Sequence, residues 1–270
     1  MAQAAFFKEF FKGAELEVED LFLLEGFQFS YIPGWIPERE FSAVLQAYPE
    51  LRSHIIKICP EIRDFLETIM EEHRFSSNAE ELSKAEDTVI WTIADLLVYN
   101  KCPEVYDGLD FHQWDFSEIT DIIPLDGKVV IEGGAGTGRV TLRIAKFAQQ
   151  VFAIEPVSRL RQFIREKVAE KNIRNVFVLD GFLHAVPLPD HFGDVFITSH
   201  ALGWHLEEEL PEIERVVKPG GFIIHCPGTA LSAGEDDPTH TSLVSPTWDY
   251  QVSVYSEPDG PKRKYWKKRK

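Results

Sequence analysis

One segment constrains the chain more than any other. Val129-Val130-Ile131 is a short β-branched run that ends in Glu132-Gly133-Gly134-Ala135-Gly136-Thr137-Gly138 and passes directly into a helical pattern. Glycines between a strand and a helix let the backbone turn tightly and approach a ligand, while the helix start offers unpaired N–H groups. Around this turn the same alternation recurs. Lys128–Gly133, Gln150–Pro156, Asn175–Gly181, Val195–Ser199 and Gly221–Cys226 read as apolar strands, and Arg139–Ala148, Ser158–Lys171 and His205–Val217 as the helices between them. Strands without polar alternation, separated by helices, predict a parallel, doubly wound α/β sheet covered on both faces. Gln251–Tyr255 and Arg263–Lys268 flank Pro258-Asp259-Gly260-Pro261 and predict a closing hairpin.

The pattern before residue 124 differs. Glu61–Glu72 follows Pro60 and places Ile62, Phe65, Leu66 and Ile69 on one helical face. Ala79–Val98 follows Asn78, with Glu81 three residues on, which predicts one long capped helix. The chain therefore divides into a mainly helical N-terminal region, 1–105, and an α/β domain, 106–270; Leu21–Pro37 shows no clear pattern.

The glycine run admits three ligand classes. A nucleoside triphosphate loop needs GxxxxGK[ST], and no lysine follows these glycines. A dinucleotide loop needs GxGxxG, but counting from Gly134 and Gly136 the sixth position is Arg139. What remains is acid–x–GxGxG, carried by Glu132, Gly134, Gly136 and Gly138.

With Glu155 closing the second strand, Pro187-Leu188-Pro189 before Phe192-Gly193-Asp194, and Arg215-Val216-Val217-Lys218-Pro219-Gly220-Gly221 before the fifth, this order resembles the class I S-adenosylmethionine-dependent methyltransferases, from about Tyr106 onward. The resemblance implies a Rossmann-like sheet of seven strands with a helical cap, and S-adenosylmethionine without a metal. It implies a cofactor site of Tyr106, Glu132, Gly134, Ala135, Gly136, Gly138, Glu155, Asp180, Gly181, Phe182 and Ser199. Glu155 would bind the ribose hydroxyls, since a carboxylate accepts two hydrogen bonds at once. The family's acid after strand three would fall on Phe182, so the adenine contact passes to Asp180 or to Phe182 itself.

Methyl transfer needs alignment first and a base only when the acceptor must lose a proton. Thr198–His205 follows strand four, where ligands of open α/β sheets bind, so His200 and His205 are the candidate bases and Trp204 a wall for the acceptor. Against this, His205 would cap a helix and His200 pack on the sheet. Tyr106, Phe111 and Trp114 stand where an aromatic could cover the cofactor or pack on the first helix. Asp190-His191 and Asp236-Asp237 lack a convincing metal-ligand set.

The net charge is −16, and seven of the 28 basic residues lie in Lys262–Lys270. An acidic body disfavours nucleic acid and suits a small-molecule acceptor. The basic run is read as an edge strand guarded by lysines, or alternatively as a grip on RNA or protein. A non-catalytic cofactor-binding or scaffold protein is the remaining alternative. Phe6, Phe7, Phe10 and Phe11 form a stripe suited to core or homodimer packing more than to a membrane. Three dispersed cysteines, no basic-then-apolar leader and no long apolar run predict a cytoplasmic protein with no transmembrane segment.

Overall fold

The structure is a computed structural model, which describes residues 2–74, 78–110, 113–231 and 237–270. The chain forms two compact units, Met1–Gly108 and Leu109–Lys270.

The first unit is helical: α1 (Ala2–Phe10), α2 (Gly26–Ser30), α3 (Glu38–Ala47), α4 (Pro49–Ile58), α5 (Arg63–Glu72), α6 (Ala79–Thr92), α7 (Ala94–Lys101) and α8 (Pro103–Asp107). Its core gathers Leu21, Phe29, Phe41, Ile55, Leu66, Val89 and Leu97, all at most 1% exposed. The stretch around Leu21, without a pattern in the sequence, is a 3₁₀ turn (Val18–Leu23) followed by α2. Each is opened by a reciprocal capping box, Glu17 with Asp20 and Glu25 with Gln28. Glutamate is an uncommon first partner in such boxes, which hid both starts.

The helix expected over Ala79–Val98 is two helices. Asn78 caps the first, accepting from the Glu80 N–H at 3.0 Å, but the chain bends at buried Ile93. There the Gln3 side chain of α1 donates to the Thr92 carbonyl at 3.1 Å, satisfying a helix-end acceptor. In the aromatic stripe, Phe11 is buried at 1% while Phe6 remains 57% exposed, stacked on Phe10 at 5.2 Å. Among the described residues no helix is long and apolar enough to cross a membrane.

The second unit comprises α9 (Ser117–Thr120), β1 (Val129–Gly133), α10 (Arg139–Ile144), β2 (Gln150–Ile154), α11 (Ser158–Glu170), β3 (Val176–Leu179), β4 (Gly193–Ser199), α12 (Leu206–Val216), β5 (Val217–Cys226), α13 (Pro238–Leu243), β6 (Gln251–Glu257) and β7 (Gly260–Lys268). Its seven strands run in the order β3-β2-β1-β4-β5-β7-β6. Strands one to five pair in parallel, and β7 pairs antiparallel with both β5 and β6. Val130, Ile131, Val195, Phe196 and Ile197 are wholly buried, the two-sided burial that their unbroken apolar runs encode. Because the chain leaves β1 toward β2 and returns to β4 on the other side, a crevice opens at the carboxyl ends of β1 and β4.

The reading of the basic run as an edge strand is corrected. β7 lies inside the sheet and β6 takes the edge. Lys262, Lys264 and Lys267 are only 5–8% exposed. Lys262 pairs with Asp259 at 2.6 Å and Lys264 with Glu118 of α9 at 2.7 Å. Lys267 pairs with Glu214 of α12 and lies 4.4 Å from the Tyr250 ring centre. An interior strand needs its charges neutralised by neighbours, and here the neighbours are acids of this same unit. In this run only Lys268 and Lys270 are exposed.

Candidate active site

The glycine turn is built by conformation. Gly134, Gly136 and Gly138 hold φ of +67°, +55° and +79°, the left-handed region that L side chains rarely adopt. A Cβ on Gly134 would stand 2.2 Å from the Cβ of Ala201, so the loop after β4 lies directly on the glycine run. The Ala135 N–H donates to the Ile154 carbonyl of β2 at 3.0 Å, and Gly138 is the first cap of α10.

Glu155 follows β2 and is 4% exposed. One carboxylate oxygen accepts from the Gly136 N–H at 2.8 Å and the other from the Val157 N–H at 2.9 Å. The acid expected to bind a ribose thus joins the glycine turn to the turn after β2. Glu132, 2% exposed, accepts a hydrogen bond from the Thr141 hydroxyl of α10. Burial pushes its carboxyl up to about 8; the Thr141 bond opposes the rise and the charge of Glu155 adds to it. The folded chain therefore holds this proton through a range, from about 4.5 to 8, in which the unfolded chain releases it, so Glu132 costs stability progressively as pH rises through that window. Glu132→Gln should flatten the fall in thermal midpoint between pH 5 and 8, an effect of up to a few kcal/mol; an unaltered pH dependence would refute the assignment.

Asp180, with 70% of its side chain exposed, pairs with Arg161 of α11 at 3.0 Å. The same guanidinium donates to the Glu155 and Pro156 carbonyls, at 2.9 and 2.6 Å, so Arg161 ties the ends of β2 and β3 together. Gly181 leaves room for the Pro187 ring, whose Cδ would lie 2.6 Å from a Cβ there. Phe182 stacks on His184 at 5.1 Å, and His184 meets His205 edge-on at 5.3 Å. Two loops, after β3 and after β4, are thereby joined by rings.

Ser199 ends β4 beside Cys226 and is 7% exposed. His200 follows with φ +55°. Its Nε2 lies 2.8 Å from Oε1 of Glu257 at the end of β6, a carboxylate with 1% of its side chain exposed. The Tyr255 hydroxyl donates to the same oxygen at 3.1 Å. His205 is the cap residue of α12: its N–H and that of Gly203 donate to the Glu209 carboxylate at 3.1 and 2.8 Å. Beneath the site, Thr198 of β4, His225 of β5 and Tyr250 form a buried chain of 2.8 and 3.1 Å contacts. Burial, and then the charge of Lys267, push His225 down to about 3, so it is neutral.

Of the aromatic residues before β1, Trp114 is 2% exposed and packs with Val140 and Ile144 of α10, under the Arg143 guanidinium. Packing is its role, not cover for a cofactor. Phe111 lies outside the described residues, as does Asp236. Tyr106 belongs to α8 of the first unit, edge-on to Tyr99 at 4.8 Å. Asp190 is bound to Arg215 at 2.7 Å. The first unit does bring ligand atoms of Glu38, Glu72 and His73 within 4.8 Å of one another, a grouping that the 33 positions between Glu38 and Glu72 conceal in the sequence. Glu257, His184, Arg161 and Glu209 were likewise unmarked: each acts through a partner in another element or loop, with no motif of its own.

Residues 131–225 match the family model of a methyltransferase domain. An uncharacterized methyltransferase of Anoxybacillus flavithermus is 27% identical over 126 residues, 45% of this chain and 54% of its own. One from Geobacillus kaustophilus is 31% identical over 102 residues, 36% and 46% of the two chains. The chain thus spans about half the length of the curated relatives it matches. A crystal structure of a SAM-dependent methyltransferase from Aquifex aeolicus aligns with 61% of this chain and 96% of that one, at 20% identity and a TM-score of 0.49. Residues 131–225, which carry the acid–glycine turn, are thus similar to a methyltransferase domain.

Proposed function

We propose that this chain transfers a methyl group from S-adenosylmethionine to a small-molecule acceptor. One observation carries the reading: the buried Glu155 carboxylate is fixed on the Gly136 N–H, at the carboxyl ends of β1 and β2, beside three glycines in left-handed conformation. The cradle fits the cofactor. Gly134 and Gly136 would let its methionine end approach the backbone, Glu155 would take the ribose, and Asp180 or Phe182 the adenine. When bound, the cofactor supplies an electrophilic methyl carbon on a sulfonium. The chain's own part is to hold an acceptor in line and keep water out, which can supply on the order of 7–11 kcal/mol. A small acceptor is supported by the net charge of −16 and by the internal pairing of the basic run.

Calorimetric titration with S-adenosylmethionine, S-adenosylhomocysteine and NAD tests this. Micromolar binding of the first two and none of NAD is expected; binding of neither methyl-cycle ligand would leave a scaffold of methyltransferase fold. Glu155→Ala should weaken S-adenosylhomocysteine binding by about 1.5–3 kcal/mol, through loss of charge-assisted bonds. Equal affinity in variant and wild type would remove Glu155 from the site.

A further inference from the structure

We infer that the open edge of β6 pairs with β6 of a second copy of this chain, antiparallel about a twofold axis at Ser253. The sheet ends in two edge strands, β3 and β6. They are protected unequally. β3 is four residues long. The Asn175 and Leu179 carbonyls accept from Val151 and Glu155 at β2, so by alternation the Val178 carbonyl faces the open side. There the Arg165 side chain donates to it at 2.9 Å. A short strand with an arginine over its edge resists pairing. β6 has no such guard. Gln251–Ser256 carries neither charge nor proline and pairs with β7 residue for residue, and the lysines of this hairpin all stand in β7.

The register tells which groups of β6 are open. Glu257 and Gly260 close the hairpin over the two-residue turn Pro258-Asp259, and the pair flanking such a turn exchanges hydrogen bonds. Alternation turns Tyr255, Ser253 and Gln251 toward β7. It leaves the backbone N–H and C=O of Val252, Val254 and Ser256 pointing away. β7 bears this out from its far side: Arg263, opposite Val254, donates its N–H to the Thr229 carbonyl, and Pro261, opposite Ser256, has no N–H. Val252 and Val254 are 43% and 49% exposed, so this edge lies open to water.

Such an edge is complementary to itself. An antiparallel pair of identical strands forms its backbone bonds where two outward-facing residues stand opposite each other. An axis at Ser253 sets Val252 against Val254 of the second copy on either side, each pair exchanging two bonds, with the valine side chains meeting on one face. On the other face Ser253 stands opposite Ser253 of the second copy, at the close spacing of a non-bonded pair. Ser253 Oγ is buried and, among the described residues, has no hydrogen-bond partner. A buried hydroxyl calls for one, and its own copy supplies it. This selects the axis over one at Val254, which would set Ser253 opposite Tyr255. Charge agrees. A twofold brings each residue near its own copy, so in a chain of net charge −16 an uncharged strand suits the axis. Assembly also stops at two, because the remaining edges are the guarded β3 strands. A seam one strand long falls below the roughly 1,200 Å² of a standard interface, so dissociation at about 10–100 µM is expected. No cofactor enters this contact, and it stands apart from the methyltransferase reading.

Sedimentation velocity of the full chain, from about 1 to 500 µM, tests the pairing. The average mass should rise with concentration from that of one chain toward twice that value. Val254→Pro removes an outward N–H and no bond to β7, while Val252→Lys installs the guard that the strand lacks. Each should weaken the dimer at least about 30-fold and leave the thermal midpoint of dilute protein within about 3 °C. If the proline variant does not fold, Val252→Lys still decides. Phe6→Glu, on the exposed stripe of α1, should leave dimerisation unchanged. In a Cys102→Ser background, Ser253→Cys should give a covalent dimer under mild oxidation and Val252→Cys should not, because only the first places the two Cβ atoms within disulfide reach. A monomer at every concentration, a dimer that survives Val252→Lys, a dimer lost in Phe6→Glu, or cross-linking through Val252→Cys in place of Ser253→Cys would each overturn the inference.

Discussion

Gly134→Val should reduce S-adenosylhomocysteine binding by at least about 100-fold and lower the thermal midpoint by several degrees. Two independent effects add at this position. The φ of +67° costs a side-chain-bearing residue roughly 1–2 kcal/mol. The new Cβ would then meet the Ala201 Cβ at 2.2 Å, and overpacking of this kind costs about 1–3 kcal/mol. Neither neighbour can give way cheaply. The loop bearing Ala201 is fastened on one side by the His200 N–H on Cys226 and on the other by Gly203 on Glu209. The glycine turn is fastened by Ala135 on Ile154 and Gly136 on Glu155. Relief must come from opening the crevice, where the cofactor is proposed to bind. Calorimetry beside thermal unfolding separates the outcomes, and a folded variant with wild-type affinity would show that the turn is not the binding element.

The second large effect concerns stability. Glu118→Ala should destabilise the second unit toward the low end of about 3–5 kcal/mol. Lys264 has 6% of its side chain exposed and donates to both the Glu118 carboxylate and its backbone carbonyl, at 2.7 and 2.6 Å. Removing the carboxylate strands an ammonium in the interior. The estimate sits low because 30% of the Glu118 side chain reaches water, and because the carbonyl remains as an acceptor. Urea unfolding measures the loss. The double variant Glu118→Leu with Lys264→Met should recover most of it, since apolar pairs commonly replace buried ion pairs at little cost. A loss below about 0.5 kcal/mol in the single variant would mean that Lys264 finds water instead.

The sheet was legible where its information is local. Val129–Gly133 and Val195–Ser199 announce buried strands by composition, and the glycine turn announces itself by spacing. The boundaries moved for physical reasons. Ile93 ends a helix without glycine or proline, because a carbonyl at the bend is satisfied from α1. β7 enters the sheet although it is rich in lysine, because its partners, Glu118 and Glu214, lie 146 and 53 residues away in sequence. The candidate site divides in the same way. Glu132, the glycines, Glu155 and His200 stand at positions that a pattern marks, whereas the carboxylate on His200 is 57 residues distant and the ring chain through His184 has no pattern at all. Periodicity reports which face of an element is buried; it carries nothing about which distant group meets that face.

The strand order has a consequence for synthesis. A chain emerging from the ribosome N-terminus first can pair β1 to β5 as each appears, but β6 emerges before the strand that joins it to the sheet. Until β7 follows, β6 has only solvent or another chain to pair with, and the open edge of β5 is exposed to the same risk. A chain truncated after Glu257 should therefore keep β6 unpaired and the edge of β5 open, and should aggregate more readily than the full chain.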